Sequence, residues 1–149
     1  MSIGQICNRH VVTIGPNASI REAAELMRTL HVGDLVVVEG QAGSRVPLGI
    51  LTDRDIVVEI IAEEVDASAV SVGDVMSSGI VTAGEDDDVL ETVKGMRSAG
   101  IRRIPVVDDG GVLMGIVSVD DILQVLAEGL SDVASLIFRE REREEDTRR

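Results

Sequence analysis

The sequence predicts a mixed α/β (α+β) chain made of two tandem β-α-β-β-α repeats, and three observations carry that reading. Slid against itself by 69 positions, "IGQICNRHVVTIGPNASIREAAELMRTLHVGDLVVVE" falls over "VGDVMSSGIVTAGEDDDVLETVKGMRSAGIRRIPVVD", matching Gly4 with Gly73, Thr13 with Thr82, Met27 with Met96 and Arg28 with Arg97. Within each copy, short β-branched runs alternate with stretches of helical apolar spacing. Both copies also close alike, since "GILTDRDI" at 49–56 returns as "GIVSVDDI" at 115–122. With 149 residues, 44% apolar and 28% charged, the chain can bury one sound core.

The first strand of each copy is read from "VVT" at 11–13 and "IVT" at 80–82. A capping pair follows, Ser19 with Glu22 or Asp88 with Glu91, in which an oxygen at the cap accepts from an orphan N–H of the first turn. Beyond it, Ile20, Ala23, Ala24 and Met27, like Val89, Thr92, Val93 and Met96, share one helical face that is expected to pack. "DLVVVE" and "RIPVVD" are buried strands, glycine-rich turns reverse them, and "LGIL" or "MGIV" return. The repeat offset falls from 69 to 66 after Glu39 and Asp108, so the first hairpin carries three extra residues, as a loop tolerates. A second helix begins at Asp53 or Val119. The chain thus divides into residues 1–65, residues 66–128 and a charged tail at 129–149 ending "REREREEDTRR", which is either a solvated helix or disordered.

Composition excludes several functions. A formal charge of −13 repels phosphate backbones, and one Phe with no Trp or Tyr leaves bases little to stack on, so nucleic acid is a poor partner. The single cysteine, Cys7, excludes an intramolecular disulfide, and the N-terminus lacks the basic-then-apolar pattern of a secretory signal. Apolar stretches such as "DIVVEIIAEE" are cut by charges before they span a bilayer. A cytoplasmic protein without membrane association is expected.

The β-α-β-β-α unit, its duplication, the "IPVVDDGG" hairpin and the G-h-h-[ST]-x-x-D ending of both copies resemble a pair of CBS domains, the module named from cystathionine β-synthase. The resemblance covers residues 3 to 127. It implies two repeats packed about a pseudo-twofold axis, with two clefts that take adenosine-containing ligands such as AMP, ADP, ATP, NAD or S-adenosylmethionine. It further implies a regulatory, non-enzymatic role in signal transduction, no required cofactor, a homodimer and an effector protein that the sequence does not name. The alternative is a ligand-free module for protein interaction or dimerisation.

The repeated ending has its own chemistry. A carboxylate on the first helical turn can accept both hydrogens of a ribose diol while the hydroxyl three residues earlier and the free N–H groups face a phosphate. Thr52 with Asp55, and Ser118 with Asp121, are therefore candidate ribose-phosphate clamps; the alternative is that they are only N-caps, and both roles are compatible. The family architecture implies clefts shared between repeats. Thr52 and Asp55 would work with Met76, Val81, Ile101, Arg102, Arg103 and Pro105, and Ser118 and Asp121 with Cys7, Val12, Val32, Gly33 and Asp34. The first cleft would then collect Arg102 and Arg103, with Arg54, for a di- or triphosphate, whereas the second offers Asp34, with Asp120 beside its clamp. Phosphates should favour the first. Val81 and Ile101 would hold the base, and Val36, standing where the second copy has Pro105, departs from the commoner form of the motif.

Other candidates point elsewhere. His10 and His31 have no second His or Cys at ligand spacing, so no metal is assigned. "GEDDDV" lacks the spacing of a calcium loop and lies where a helix N-terminus favours acids. Cys7 has no adjacent base and reads as a packing or ligand contact. Arg102 and Arg103 have surface ion pairing as their alternative. No nucleophile–base pair is present, so no catalytic residue is assigned.

Overall fold

The computed structural model describes residues 1–149. Each repeat forms a three-stranded sheet with its own core. In the first, β1 (Thr13–Ile14) lies parallel to β2 (Asp34–Glu39), and β2 pairs antiparallel with β3 (Val46–Thr52). In the second, β4 (Ala83–Gly84), β5 (Arg103–Val107) and β6 (Leu113–Ser118) repeat that order. The central strands read as near-continuous apolar runs because both faces are covered: Leu35 through Val38 are all buried, as are Ile104 through Val106. The first strands start two or three residues later than "VVT" and "IVT" suggest, since each contributes only two residues to the ladder.

Helices α2 (Ile20–Leu30) and α5 (Val89–Ala99) cover the sheets, capped by Ser19 on the Glu22 N–H and by Asp88 on the Leu90 and Glu91 N–H groups. Ile20, Ala23 and Met27 are buried, and so are Val89, Thr92 and Met96 with Val93 at their margin. Ala24, expected on the packed face, is exposed: the buried stripe recurs every three to four residues and Ala24 falls at its edge. Leu26 packs at the core margin instead. In "GEDDDV", Asp88 is the cap and Asp87 accepts from the Gly84 N–H at 2.8 Å, so these acids close a turn and start a helix.

Two short helices, α1 (Ile3–Ile6) and α4 (Val72–Val75), were not apparent from periodicity, being one turn each. They tie the halves together by exchange. Ile3 is wholly buried in the core of the second repeat, while Val72 is wholly buried in that of the first. The same bonds occur twice with the repeats' roles reversed: Ile3 N–H to Asp87 and Gly4 N–H to Glu85, then Val72 N–H to Ala18 and Gly73 N–H to Pro16, all at 2.8–2.9 Å. Arg9 adds a hydrogen bond to Glu85 across the halves, which raises the guanidinium pKa further. The packing units therefore do not coincide with the stretches 1–65 and 66–128, because each core borrows its leading helix from the other copy.

The second helices differ. In the first repeat, α3 (Asp53–Asp55) passes at once into a π-helical stretch, Ile56–Ile61, whose Ala62 N–H reaches back to Val57. After it a 3₁₀ turn, Ala67–Ala69, leads to α4. In the second repeat, α6 (Val119–Arg148) runs unbroken for 30 residues. The tail is thus helical as far as Arg148, continuing α6 well past its last buried residue, Ile122.

Candidate functional site

Each clamp sits where a returning strand meets its second helix, and local chemistry fixes its shape. Asp55 N–H donates to the Thr52 hydroxyl at 3.0 Å, and Thr52 N–H donates to Asp55 Oδ2 at 2.9 Å. Asp121 N–H and Ser118 N–H make the same exchange at 3.2 and 2.8 Å. These are capping boxes with Asp in the place of Glu. In each carboxylate Oδ2 is engaged while Oδ1 keeps its acceptor capacity. The hydroxyls differ: that of Ser118 also donates to Asp121 Oδ2 at 2.8 Å, whereas that of Thr52 only accepts. Boxes also occur at Ser2 with Gln5 and Ser71 with Asp74, outside either cleft, so the box alone does not mark a ligand site.

Beside Ser118 and Asp121 opens a cleft of about 260 Å³ whose far wall belongs to the first repeat. Val12, Val32, Gly33 and Asp34 line it, as the cross-repeat pairing requires. Asn8, His10 and Asp120 line it as well. The histidine's place, two residues ahead of Val12, is the one sequence signal that could have found it. Cys7 is not in this lining. Its thiol donates to the Gly4 carbonyl at 3.7 Å and its side chain packs on β6, where a Cβ at Gly115 would come within 2.7 Å of the sulfur. Met76 does the same against Gly49 in β3, so the motif's repeated glycine makes room for the other copy's leading segment.

A second cleft, about 110 Å³, brings together Val81, Ile101 and Arg103 with Ile50 and the Ser77–Ile80 segment. Thr52, Arg54, Asp55, Met76, Arg102 and Pro105, expected with them, do not line it. Pro105 is fully buried in the central strand and Arg54 is exposed. Arg102 is 74% exposed and points toward Asp120 of its own repeat, 3.7 Å away.

The separation of charge into one basic and one acidic cleft does not hold. Arg103 Nε lies 3.2 Å from Asp34 Oδ2, with both side chains largely covered, and Arg103 lines both clefts. The reason is positional. Residues 34 and 103 are the same place in the two copies, the first residue of each central strand, and the pseudo-twofold arrangement brings equivalent places face to face. Two charges read as opposite properties of separate clefts are one ion pair between them.

A backbone difference separates the clefts further. In the first repeat, Val36 N–H donates to the Val12 carbonyl at 3.0 Å. The equivalent Val81 carbonyl has no such partner, because Pro105 carries no N–H. Val81, which lines the smaller cleft, thus lacks the main-chain partner that Val12 has in its own sheet. No cluster of three or more His, Cys, Asp or Glu side chains is arranged to hold a metal ion, and no helix is long and apolar enough to cross a membrane.

Comparison with known proteins agrees with this geometry. The CBS domain family profile matches residues 3–62 and 72–128. The Methanopyrus kandleri protein MK0525 is 40% identical over 125 residues, spanning 84% of this chain, while this chain spans 62% of its relative's length. Among solved structures, a hexameric CBS-CP12 protein from bloom-forming cyanobacteria is 31% identical with a TM-score of 0.70, covering 83% of this chain and 69% of its own. The CBS domain pair of MJ0100, solved in complex with 5′-methylthioadenosine and S-adenosyl-L-methionine, superposes with a TM-score of 0.73 at 27% identity, covering 87% of this chain and 98% of its own.

Proposed function

The chain belongs to the CBS domain family as a tandem regulatory pair, and from that premise we propose that it senses an adenosine-containing ligand, AMP, ADP, ATP or NAD, in the clefts between its repeats. The observation that carries this reading is the cross-repeat cleft that sets Ser118 and Asp121 against Val32, Gly33 and Asp34. A ligand there touches both halves, so its binding energy acts on their relative position, which is what a sensor requires. Asp121 Oδ1 and Asp55 Oδ1 are free for ribose hydroxyls, and the Val81 carbonyl is a fitting acceptor for an adenine amino group between Val81 and Ile101. The adenosine compounds bound by the MJ0100 pair support the ligand class. The role proposed is regulatory and not catalytic, with the adenosine compound as the sensed ligand and no cofactor required.

The test is a thermal-shift panel of AMP, ADP, ATP, NAD and S-adenosylmethionine, with GTP as control. A ligand held only by the native state at about 100 times its Kd adds about 2.7 kcal/mol, which raises the midpoint by several degrees. No shift with any adenosine compound, or an equal shift with GTP, overturns the reading.

The homodimer is part of the same proposal. Leu123, Leu126, Leu130, Val133 and Ile137 on α6 are spaced alternately three and four residues apart and are 45–72% exposed. That spacing makes a coiled-coil seam about 21 Å long. Ala127, Gly129 and Ala134 flank it with small side chains that let an identical helix approach, so the occupant that fits is a second copy of the chain. The hexameric CBS-CP12 relative supports self-association. A downstream effector protein, in the cytoplasm, would then read the state of the assembly.

A further inference from the structure

We propose that Arg103 is a single cation shared between the two clefts, so that a phosphorylated ligand in one opposes a phosphorylated ligand in the other. The inference rests on the nucleotide reading above. Arg103 is the only charged residue lining the smaller cleft, and it also lines the larger one. Its neighbours do not substitute for it: Arg102 is 74% exposed beside Asp120, and Arg54 lines neither cleft.

The coupling follows from what Arg103 leaves behind. Its side chain is 35% exposed and that of Asp34 27%, so the pair is shielded from the solvent that would otherwise screen a change of partner. A phosphate in the smaller cleft competes with Asp34 for the guanidinium. If it wins, Asp34 joins Asp120 and Asp121 as three carboxylates around the larger cleft, with His10 as the remaining basic side chain there. A second phosphate then meets unbalanced negative charge. A phosphate entering the larger cleft first draws Arg103 to that side and leaves the smaller cleft without a lining cation. An uncharged adenosine makes no claim on Arg103 and carries no such penalty. Unequal affinities alone would not establish this, because Pro105 and Val36 already make the clefts different; the sign of the coupling is in its dependence on phosphate and on Asp34.

Isoleucine methyl resonances separate the sites, Ile101 reporting the smaller cleft and Ile116 the larger. Titrating wild type, Asp34→Asn and Arg103→Ala with AMP and with adenosine gives affinities for each cleft. In wild type, AMP at the first-filled cleft should weaken AMP at the other by about tenfold or more, within the usual range of site coupling, and adenosine should not. Asp34→Asn should cut that coupling several-fold, judged against adenosine in the same variant so that any change in the cleft itself cancels. Arg103→Ala should abolish the preference for AMP over adenosine at both clefts together. Equal coupling for AMP and adenosine, coupling undiminished by Asp34→Asn, or loss of phosphate preference at one cleft alone each overturn the shared-arginine inference while the sensor reading stands. Absence of binding by both compounds overturns both.

Discussion

Asp55→Ala separates the two roles of a clamp when set beside Asp74→Ala. The two carboxylates have the same task in the fold: Asp55 Oδ2 accepts from Thr52 N–H at 2.9 Å, and Asp74 Oδ2 accepts from Ser71 N–H at 2.9 Å. Losing either leaves a helix-terminal N–H without its partner, a cost of about 0.5–2 kcal/mol. For a chain of this size that is a fall of roughly 1–8 °C in the midpoint, and the two variants should fall together. Of these two, only Asp55 ends the G-h-h-[ST]-x-x-D motif, whose second copy, Ser118 with Asp121, lines a cleft. If its free Oδ1 and the carboxylate charge hold a ribose diol, removing them costs a further 1.5–3 kcal/mol of binding, about tenfold to a hundredfold in Kd. Isothermal calorimetry with AMP measures that loss, and urea unfolding measures the stability cost. The reasoning fails if Asp55→Ala binds AMP as tightly as Asp74→Ala does, because Asp55 is then a cap and nothing more.

Three further outcomes test other parts of the structure. Ile3→Ala should cost about 2–5 kcal/mol in urea unfolding, and hydrogen exchange should speed first in β4 to β6, since Ile3 fills the second repeat's core; loss of protection confined to the first repeat would contradict the exchange of leading helices. If the chain forms the proposed dimer, Leu130→Glu should convert it to monomer by sedimentation with little change in the thermal midpoint of the protomer, because Leu130 is 72% exposed within one chain; an unchanged sedimentation coefficient would overturn the proposed α6 interface. Val36→Pro should free the Val12 carbonyl at a cost of about 1 kcal/mol for the lost hydrogen bond and tighten adenosine at the Ile116 cleft; weaker binding there would show that the carbonyl does not read the base.

Much of the fold was legible because its causes are local. The Ser19, Asp88, Thr52 and Ser118 caps each join residues two or three apart. The buried faces of α2 and α5 follow from helical spacing, with Ala24 the exception at a stripe edge. The hairpins follow from a length change confined to a glycine-rich turn. The tail was legible only as a choice between helix and disorder, since its charges favour solvent in either state; α6 continues through it. The candidate site was half legible. Val12, Val32, Gly33 and Asp34 meet Ser118 and Asp121 as expected, but Cys7 and Met76 turned to fill space over the motif glycines, Pro105 is buried, and Arg102 faces its own repeat.

The sequence by itself determined that there are two copies, the order of the three strands and two longer helical segments in each, and the chemistry at the end of each copy, because a repeat, a periodicity and a cap are properties of neighbouring residues. Only the tertiary structure decided which copy's leading helix completes which core, and that Arg103 meets Asp34. Nothing in the local pattern distinguishes a helix that packs on its own sheet from one that packs on its duplicate's, since the two cores are nearly interchangeable apolar surfaces. Likewise a charge at the head of a central strand has no partner until the pseudo-twofold packing places its counterpart, 69 residues away, 3.2 Å from it.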